Sequence, residues 1–297
     1  MKKIKNYTFL FALLILTSCL AANKQPKPLI GGIRDEAKTE AKVTETEGNV
    51  TRIEGEVTET EGEVSTPARK NLELPAPLKG VKEQILRRIG YTVSYNRDTK
   101  LPNWVAWHLT VDRCQGSAKR KQNGFHEDTD VSEPRATDWD YYSSGYDRGH
   151  MCPAGDNKWS EKAMCESFLF TNICPQNPNL NRGDWNELEN QCRRWAKEYG
   201  DVYIVCGPIL YRSKHKTIGK NKVVVPEGFF KVVLCMKGKP KAIGFIYKNA
   251  EGNRPKGDYV NTVDEVERIT GIDFFASLPD KTEKVVEATA NVADWGL

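Results

Sequence analysis

Hydrophobic and polar positions fall into three regimes along the chain. A continuous apolar run fills positions 9–16, directly behind Lys2, Lys3 and Lys5. From 20 to about 70 the pattern is polar and repetitive: VTETEG occurs at 43–48 and again at 57–62, in a segment without aromatics. Beyond 70, alternation takes over. Prolines at 72–78 suggest an extended lead-in, and 81–89 fits either a short helix or an irregular approach. Positions 91–95 (YTVSY) and 104–111 (WVAWHLTV) alternate as strands do, with turn residues between them, and predict a hairpin. The polar loop at 119–138 has Phe125 as its main apolar member. Runs at 202–206, 223–225, 229–236 and 242–247 are β-branched or aromatic, bounded by Gly or Pro, and predict further strands. At 262–270, Val263, Val266 and Ile269 share a face behind Thr262, with Glu265 three residues on. That is a helix opened by a capping box. Together these elements predict one mixed α+β domain with a mainly antiparallel sheet.

One stretch, 146–193, departs from this pattern by the density of its polar groups. It opens YDRGHMCPAGDN and continues through TNICPQNPNLNRGDWNELENQCR. Such groups are costly in a core unless each finds a partner, so the stretch reads as a site. Segments at 146–150 and 168–173 are extended. A helix follows from Asn181 to about Tyr199, because Trp185, Leu188, Cys192, Trp195 and Tyr199 recur every three or four residues. Asn181 fits an N-cap, Asp184 the capping-box acid, and Gly200 the end. Glu189 and Arg193 lie four apart on its polar side. Two strands followed by a helix can bring His150, Asn181, Glu189 and Arg193 to one spot. Phosphodiester hydrolysis needs such a set: a base for water, a cation against developing charge, and guanidinium forks for phosphate oxygens. Each residue also has a plain structural reading: a core histidine, a helix cap, a surface ion pair. Trp104, Trp107 and Trp139 fit base stacking or core packing.

Charge and cysteines narrow the setting. The net charge of +4 conceals a division: residues 20–66 carry −4 and residues 67–297 carry +5. The mildly basic part suits a polyanionic partner, and the acidic part reads as a disordered spacer. The opening resembles a secretory leader ending in Leu16-Thr17-Ser18-Cys19, similar to a bacterial lipobox with Cys19 as the lipidated residue; cleavage near Ala21 and Ala22 is the alternative. Either way the expectation is export, with a membrane anchor in the lipidated case. Cys114, Cys152, Cys165, Cys174, Cys192, Cys206 and Cys235 remain, an odd number. No CxxC spacing is present to suggest zinc. Cys152 lies two residues from His150, which admits a Cys–His nucleophile, but a disulfide locking the motif loops fits better. No oligomeric state follows from the sequence.

DRGHMCPAGDN, TNICPQNPNLN and RGDWNELENQCR, in this order, resemble the DNA/RNA non-specific endonuclease family and its ββα-metal active-site motif. The likeness extends from about 75 to 285. It implies a nuclease acting on DNA and RNA with Mg²⁺, or Mn²⁺ in its place, leaving 5′-phosphate and 3′-hydroxyl ends. His150 matches the family's general base, and Asn181 the direct metal ligand. Glu189 matches the acid that holds metal-bound water. Arg148 and Arg193 match arginines contacting phosphate and transition state. Asp147, Asn172 and Arg120 fall among positions that order the site or meet substrate. The alternative from another class is a catalytically silent surface lipoprotein that binds nucleic acid through the same basic face.

Overall fold

The structure, a computed structural model, describes residues 71–121 and 124–297; the leader at 1–19 and the acidic segment at 20–70 lie outside them. The strands are β1 (Gln84–Arg87), β2 (Thr92–Asn96), β3 (Leu101–Thr110), β4 (Asp147–His150), β5 (Ile173–Gln176), β6 (Asp201–Ile209), β7 (Thr217–Ile218), β8 (Val223–Val224), β9 (Gly228–Cys235), β10 (Lys241–Lys248) and β11 (Val260–Asn261). The helices are α1 (Asp138–Tyr141), α2 (Glu161–Ser167), α3 (Pro178–Leu180), α4 (Asn186–Tyr199), α5 (Val263–Thr270) and α6 (Asp280–Glu287). A seven-stranded sheet runs in the order β1-β2-β3-β6-β9-β10-β11, and every pairing in it is antiparallel. The expected α+β class and antiparallel sheet are what the chain forms. β4 and β5 make a separate antiparallel ribbon.

Alternation along the central strands sends side chains into two apolar layers. Val105, Trp107 and Leu109 of β3 join Val202 and Ile204 of β6 and Phe229 of β9 on one face. There they meet Trp185, Leu188, Cys192 and Trp195 from the helix and Met151 and Ile173 from the ribbon. Trp104 and Ala106, Tyr203 and Val205, and Phe230 and Val232 point the other way, against α5, α6 and Phe274. Each large apolar side chain fully buried in this way contributes roughly 1.5–3 kcal/mol. The sheet is therefore a partition, with the β4–β5 ribbon and α4 on one side and α5 with α6 on the other.

Four features differ from the sequence reading. The segment at 81–89 contains strand β1 rather than a helix, because Leu86 is the buried residue among exposed neighbours. The second extended piece of the motif is a tight turn at Phe170–Asn172 that leads into β5. Helical backbone begins at Pro178, where Asn177 accepts from the amides of Asn179 (2.9 Å) and Leu180 (3.3 Å). Asn181 lies inside a widened turn, Asn181–Trp185, in which Gly183 leaves helical geometry (φ −100°, ψ −111°) before α4. At the far end Thr262 caps α5, its Oγ1 accepting from the Glu265 amide, but the Glu265 carboxylate binds Arg268 and does not close the expected box, and Ile269 is 38% exposed. Among the described residues no helix is long and apolar enough to cross a membrane.

Candidate active site

The β4–β5 ribbon is stapled to the helix at both ends of β4. At one end Asp147 accepts from Asn181 Nδ2 (3.0 Å) and takes both Nε (2.9 Å) and Nη2 (2.7 Å) of Arg182. Burial alone would raise the Asp147 pKa, but the Arg182 hydrogen bonds outweigh it and the net shift is downward. At the other end the carbonyl of His150 accepts from Trp185 Nε1 at 3.1 Å. Between them, Gly149 faces Gln176, and a Cβ there would come within 2.3 Å of the Gln176 side chain. The glycine of the DRGH run is thus required by close strand contact. Because the amide nitrogen of Asn181 is spent on Asp147, its carbonyl Oδ1 is the atom left to offer a cation. A single neutral oxygen suits a hard divalent ion that keeps several waters.

Arg148 and His150 share a face of β4, and both pack on Phe125. The Phe125 ring lies 5.3 Å from the His150 ring and 5.6 Å from the Arg148 guanidinium carbon. Arg120 stacks over the same ring at 4.7 Å and over Phe168 at 4.9 Å. Phe168 meets His150 edge-on at 4.9 Å. Two aromatic rings thereby gather two cations and the imidazole, an arrangement favoured by the ring faces. His150 Nε2 is enclosed and has no hydrogen-bond partner within the protein. Burial, then the Arg120 charge, pushes its pKa down from 6.5 to about 4. The ring is neutral near pH 7, as a base must be. Arg148 is held by Asp138, with Nε at 2.7 Å from the carboxylate.

Glu189 and Arg193 belong to a second cluster. They do not pair with each other as an i,i+4 bridge would. Arg193 Nη1 binds Asp156 at 2.7 Å and Nη2 binds Asn190 at 2.8 Å. Gly155 allows this approach, since a Cβ there would lie 2.7 Å from Arg193 Nη1. Asp156 also accepts from Trp107 Nε1 at 3.1 Å. Lys231, fully buried on β9, sits 4.4 Å from the Trp185 ring and 5.6 Å from the Trp107 ring. Burial works against its charge, but Cys206, Cys192, Glu189 and Asp156 outweigh it, and the ammonium stays protonated. Glu189 is pushed up to about 7, by burial first, against the pull of Lys231 and then Arg193. The Trp185 indole that holds the His150 carbonyl also bears on this carboxylate, which links the two clusters.

Several expectations are revised by this geometry. Asn172 is fully buried; its amide clasps the Cys152 backbone at 2.9 and 2.8 Å and Ser167 O at 2.8 Å. It orders the loop after β4 and has no group left for substrate. Asp147, equally, is a clamp for Asn181 and Arg182. Asp184 is not a capping-box acid: it accepts from Tyr259 Oη (2.5 Å) and the Asn253 amide (2.7 Å). All seven described cysteines are free thiols, so no disulfide locks the motif. Cys152 is buried, and burial raises its pKa well above the usual thiol value, which removes it as a nucleophile. Trp104 and Trp107 are core residues, whereas Trp139 is 80% exposed and stands beside exposed Tyr142.

The sequence reading did not single out the cleft next to Arg120. It encloses about 660 Å³ between the 116–121 segment and α2, with Lys119, Arg120, Lys121 and Lys158 on its walls and Trp159 and Phe168 among its aromatics. The Lys119-Arg120-Lys121 run was the available signal. Lys158 and Trp159 had none, being placed by the fold.

A two-stranded ribbon and a kinked helix that present an unprotonated histidine, a free amide oxygen and a carboxylate define a ββα-metal nuclease fold. The chain belongs to the DNA/RNA non-specific endonuclease family, whose model matches residues 71–281. It is 39% identical over 208 residues to the mitochondrial nuclease EXOG of Danio rerio, covering 63% of this chain and 60% of that protein. Against mitochondrial endonuclease G of Bos taurus it is 33% identical over 221 residues, covering 70% and 74%. Among solved structures, a crystal structure of the EndoG/EndoGI complex, described as showing the mechanism of EndoG inhibition, matches with a TM-score of 0.64 and 30% identity. That match covers 67% of this chain and 89% of the other. The chain thus spans only about 60% of the length of the EXOG relative.

Proposed function

We propose that the protein is an endonuclease that hydrolyses phosphodiester bonds of DNA and RNA with little sequence preference. The observation that carries this reading is the gathering of His150, Arg120 and Arg148 around the Phe125 ring, where burial keeps the imidazole neutral. In the reaction His150 takes a proton from the attacking water, and Arg148 and Arg120 orient the phosphate oxygens. Arg193, fixed by Asp156, adds positive charge behind the site. The residues fit a divalent cation, Mg²⁺ with Mn²⁺ as a substitute: Asn181 Oδ1 would ligate it, and Glu189 would hold its water shell. When bound, such an ion neutralises charge on the phosphate and leaving oxygen. In-line displacement then leaves 5′-phosphate and 3′-hydroxyl ends. The lysine-rich cleft beside Arg120, and Trp139 with Tyr142 next to the Asp138 that holds Arg148, supply charge and stacking surfaces for a strand crossing the site. Incubating the protein with matched single- and double-stranded DNA and RNA in Mg²⁺ tests the reading. Internal cleavage of all four is expected; intact substrates under both reducing and oxidising conditions would overturn it.

The same proposal includes export, with lipidation at Cys19 and residues 20–70 as a spacer from the membrane. It rests on the first 19 residues alone, since the EXOG and endonuclease G relatives are described as mitochondrial. Labelled palmitate should enter the expressed protein and fail to enter Cys19→Ser; equal labelling would remove the anchor.

A further inference from the structure

On the face of the sheet away from His150, α5 and α6 pack Val263, Val266 and Val286 into the second apolar layer. Polar positions of these two helices bring Asp264, Glu267 and Glu287 together, with one carboxylate oxygen of each within 4.8 Å of the others. Glu287 is only 5% exposed, and its Oε1 is enclosed without a hydrogen-bond partner. As the last residue of α6 it also lies where helix carbonyls add negative partial charge. The charges that bear most on it are those of Glu267, Glu283, Asp264 and Asp273, all acidic. An enclosed, unpartnered oxygen surrounded by acids is costly, and a cation is the partner that relieves every one of these interactions at once.

We propose that Asp264, Glu267 and Glu287 form a structural Ca²⁺ site that is separate from the active site. Ca²⁺ takes hard oxygen ligands at roughly 2.4 Å, so oxygens sharing one ion lie up to about 4.8 Å apart, and the three carboxylate oxygens fall within that limit. Glu267 is already positioned, since its Oε1 accepts from the Phe274 amide at 2.7 Å and leaves the other oxygen for an ion. Ligands from two helices, one of them exposed, suit the adaptable shell of Ca²⁺ better than the strict octahedron of Mg²⁺. The ion would join α5 to α6, each only eight residues long and too short to be stable without tertiary support.

Thermal melting of the full chain carrying Asn181→Ala, which removes the proposed active-site ligand, tests the site with Ca²⁺ alone and with Mg²⁺ alone. Ca²⁺ at ~100-fold above its dissociation constant should raise the melting temperature by roughly 5 °C, and Mg²⁺ by less. Adding Glu287→Gln or Asp264→Asn should remove most of the Ca²⁺ shift. Without Ca²⁺, Glu287→Gln should melt no lower than its parent at neutral pH, because burial and the neighbouring acids push the Glu287 carboxyl up to about 9 and the amide replaces one neutral group with another; Asp264→Asn, at an exposed position, gives an independent readout. No Ca²⁺ shift in the parent, or the same shift in both variants, would overturn the site. Glu287→Gln on the otherwise native chain should retain Mg²⁺-dependent cleavage, so failure here is distinct from failure of the nuclease reading.

Discussion

His150 and Glu189 are displaced in opposite senses from their ordinary titration, and both displacements begin with burial. For His150 the folded value, about 4, lies below the ordinary 6.5, so the unfolded chain binds the proton first. Its contribution to stability is full above pH 6.5 and is lost as pH falls towards 4. For Glu189 the folded value of about 7 lies above the ordinary 4.5, so the native state holds the proton longer. Stability of the metal-free protein therefore declines as pH rises from 4.5 to 7 on its account. NMR titration of the imidazole in metal-free protein should give a midpoint near 4, and Arg120→Ala should move it upward by removing the second cause. A midpoint of 6.5 in both proteins would contradict the burial argument. Lys231 acts on the same scale, as the buried cation facing Glu189. Lys231→Met keeps the volume but removes that charge, and should weaken Mg²⁺ binding at pH 7 about 10-fold while DNA retention is unchanged. An unaltered Mg²⁺ titration would show that Lys231 only fills space.

At the scale of elements, the site depends on the angle between the β4–β5 ribbon and the helix, and Asp147 sets one end of that angle. Asp147→Ala frees the Asn181 amide to rotate and should raise the Mg²⁺ concentration for half-maximal activity ~10-fold or more, with the far-ultraviolet circular dichroism unchanged. An unchanged metal requirement would mean that the kinked turn alone positions Asn181. Much of this level was legible in the sequence. The hairpin, the core strands, α5 with its Thr262 cap and the buried stripe of α4 all follow from short-range periodicity. The position of the cap was not, although Asn177 before Pro178 carried the signal of a helix start with proline at its first turn. Asn181 reads equally well as a cap in isolation; only its distant partner Asp147 shows otherwise. The gathering of Arg120, Arg148 and His150 around Phe125 is likewise invisible locally, because it depends on how a long loop folds back. The motif cysteines misled for the same reason: Cys152, Cys174 and Cys192 are core residues, and their spacing carries no pairing information.

For the whole molecule, the sheet separates two chemistries. One face carries arginines, the lysine-rich cleft and exposed aromatics; the other carries the α5–α6 carboxylates. On the proposed function a polyanion meets Arg120, Arg148 and the lysines of the cleft, and binding should weaken steeply with salt as phosphate contacts are screened. Trp139→Ala should raise KM for single-stranded DNA roughly 5-fold with kcat preserved, since stacking holds the strand and takes no part in bond breaking. A loss of kcat alone would place Trp139 elsewhere in the mechanism. The central claim is that His150 serves as the base within this basic face, and plasmid nicking in Mg²⁺ by the parent and by His150→Ala tests it most directly, with DNA retention measured in parallel. The variant should cleave ~10²–10⁴-fold more slowly while retaining DNA as the parent does; equal cleavage rates would contradict it.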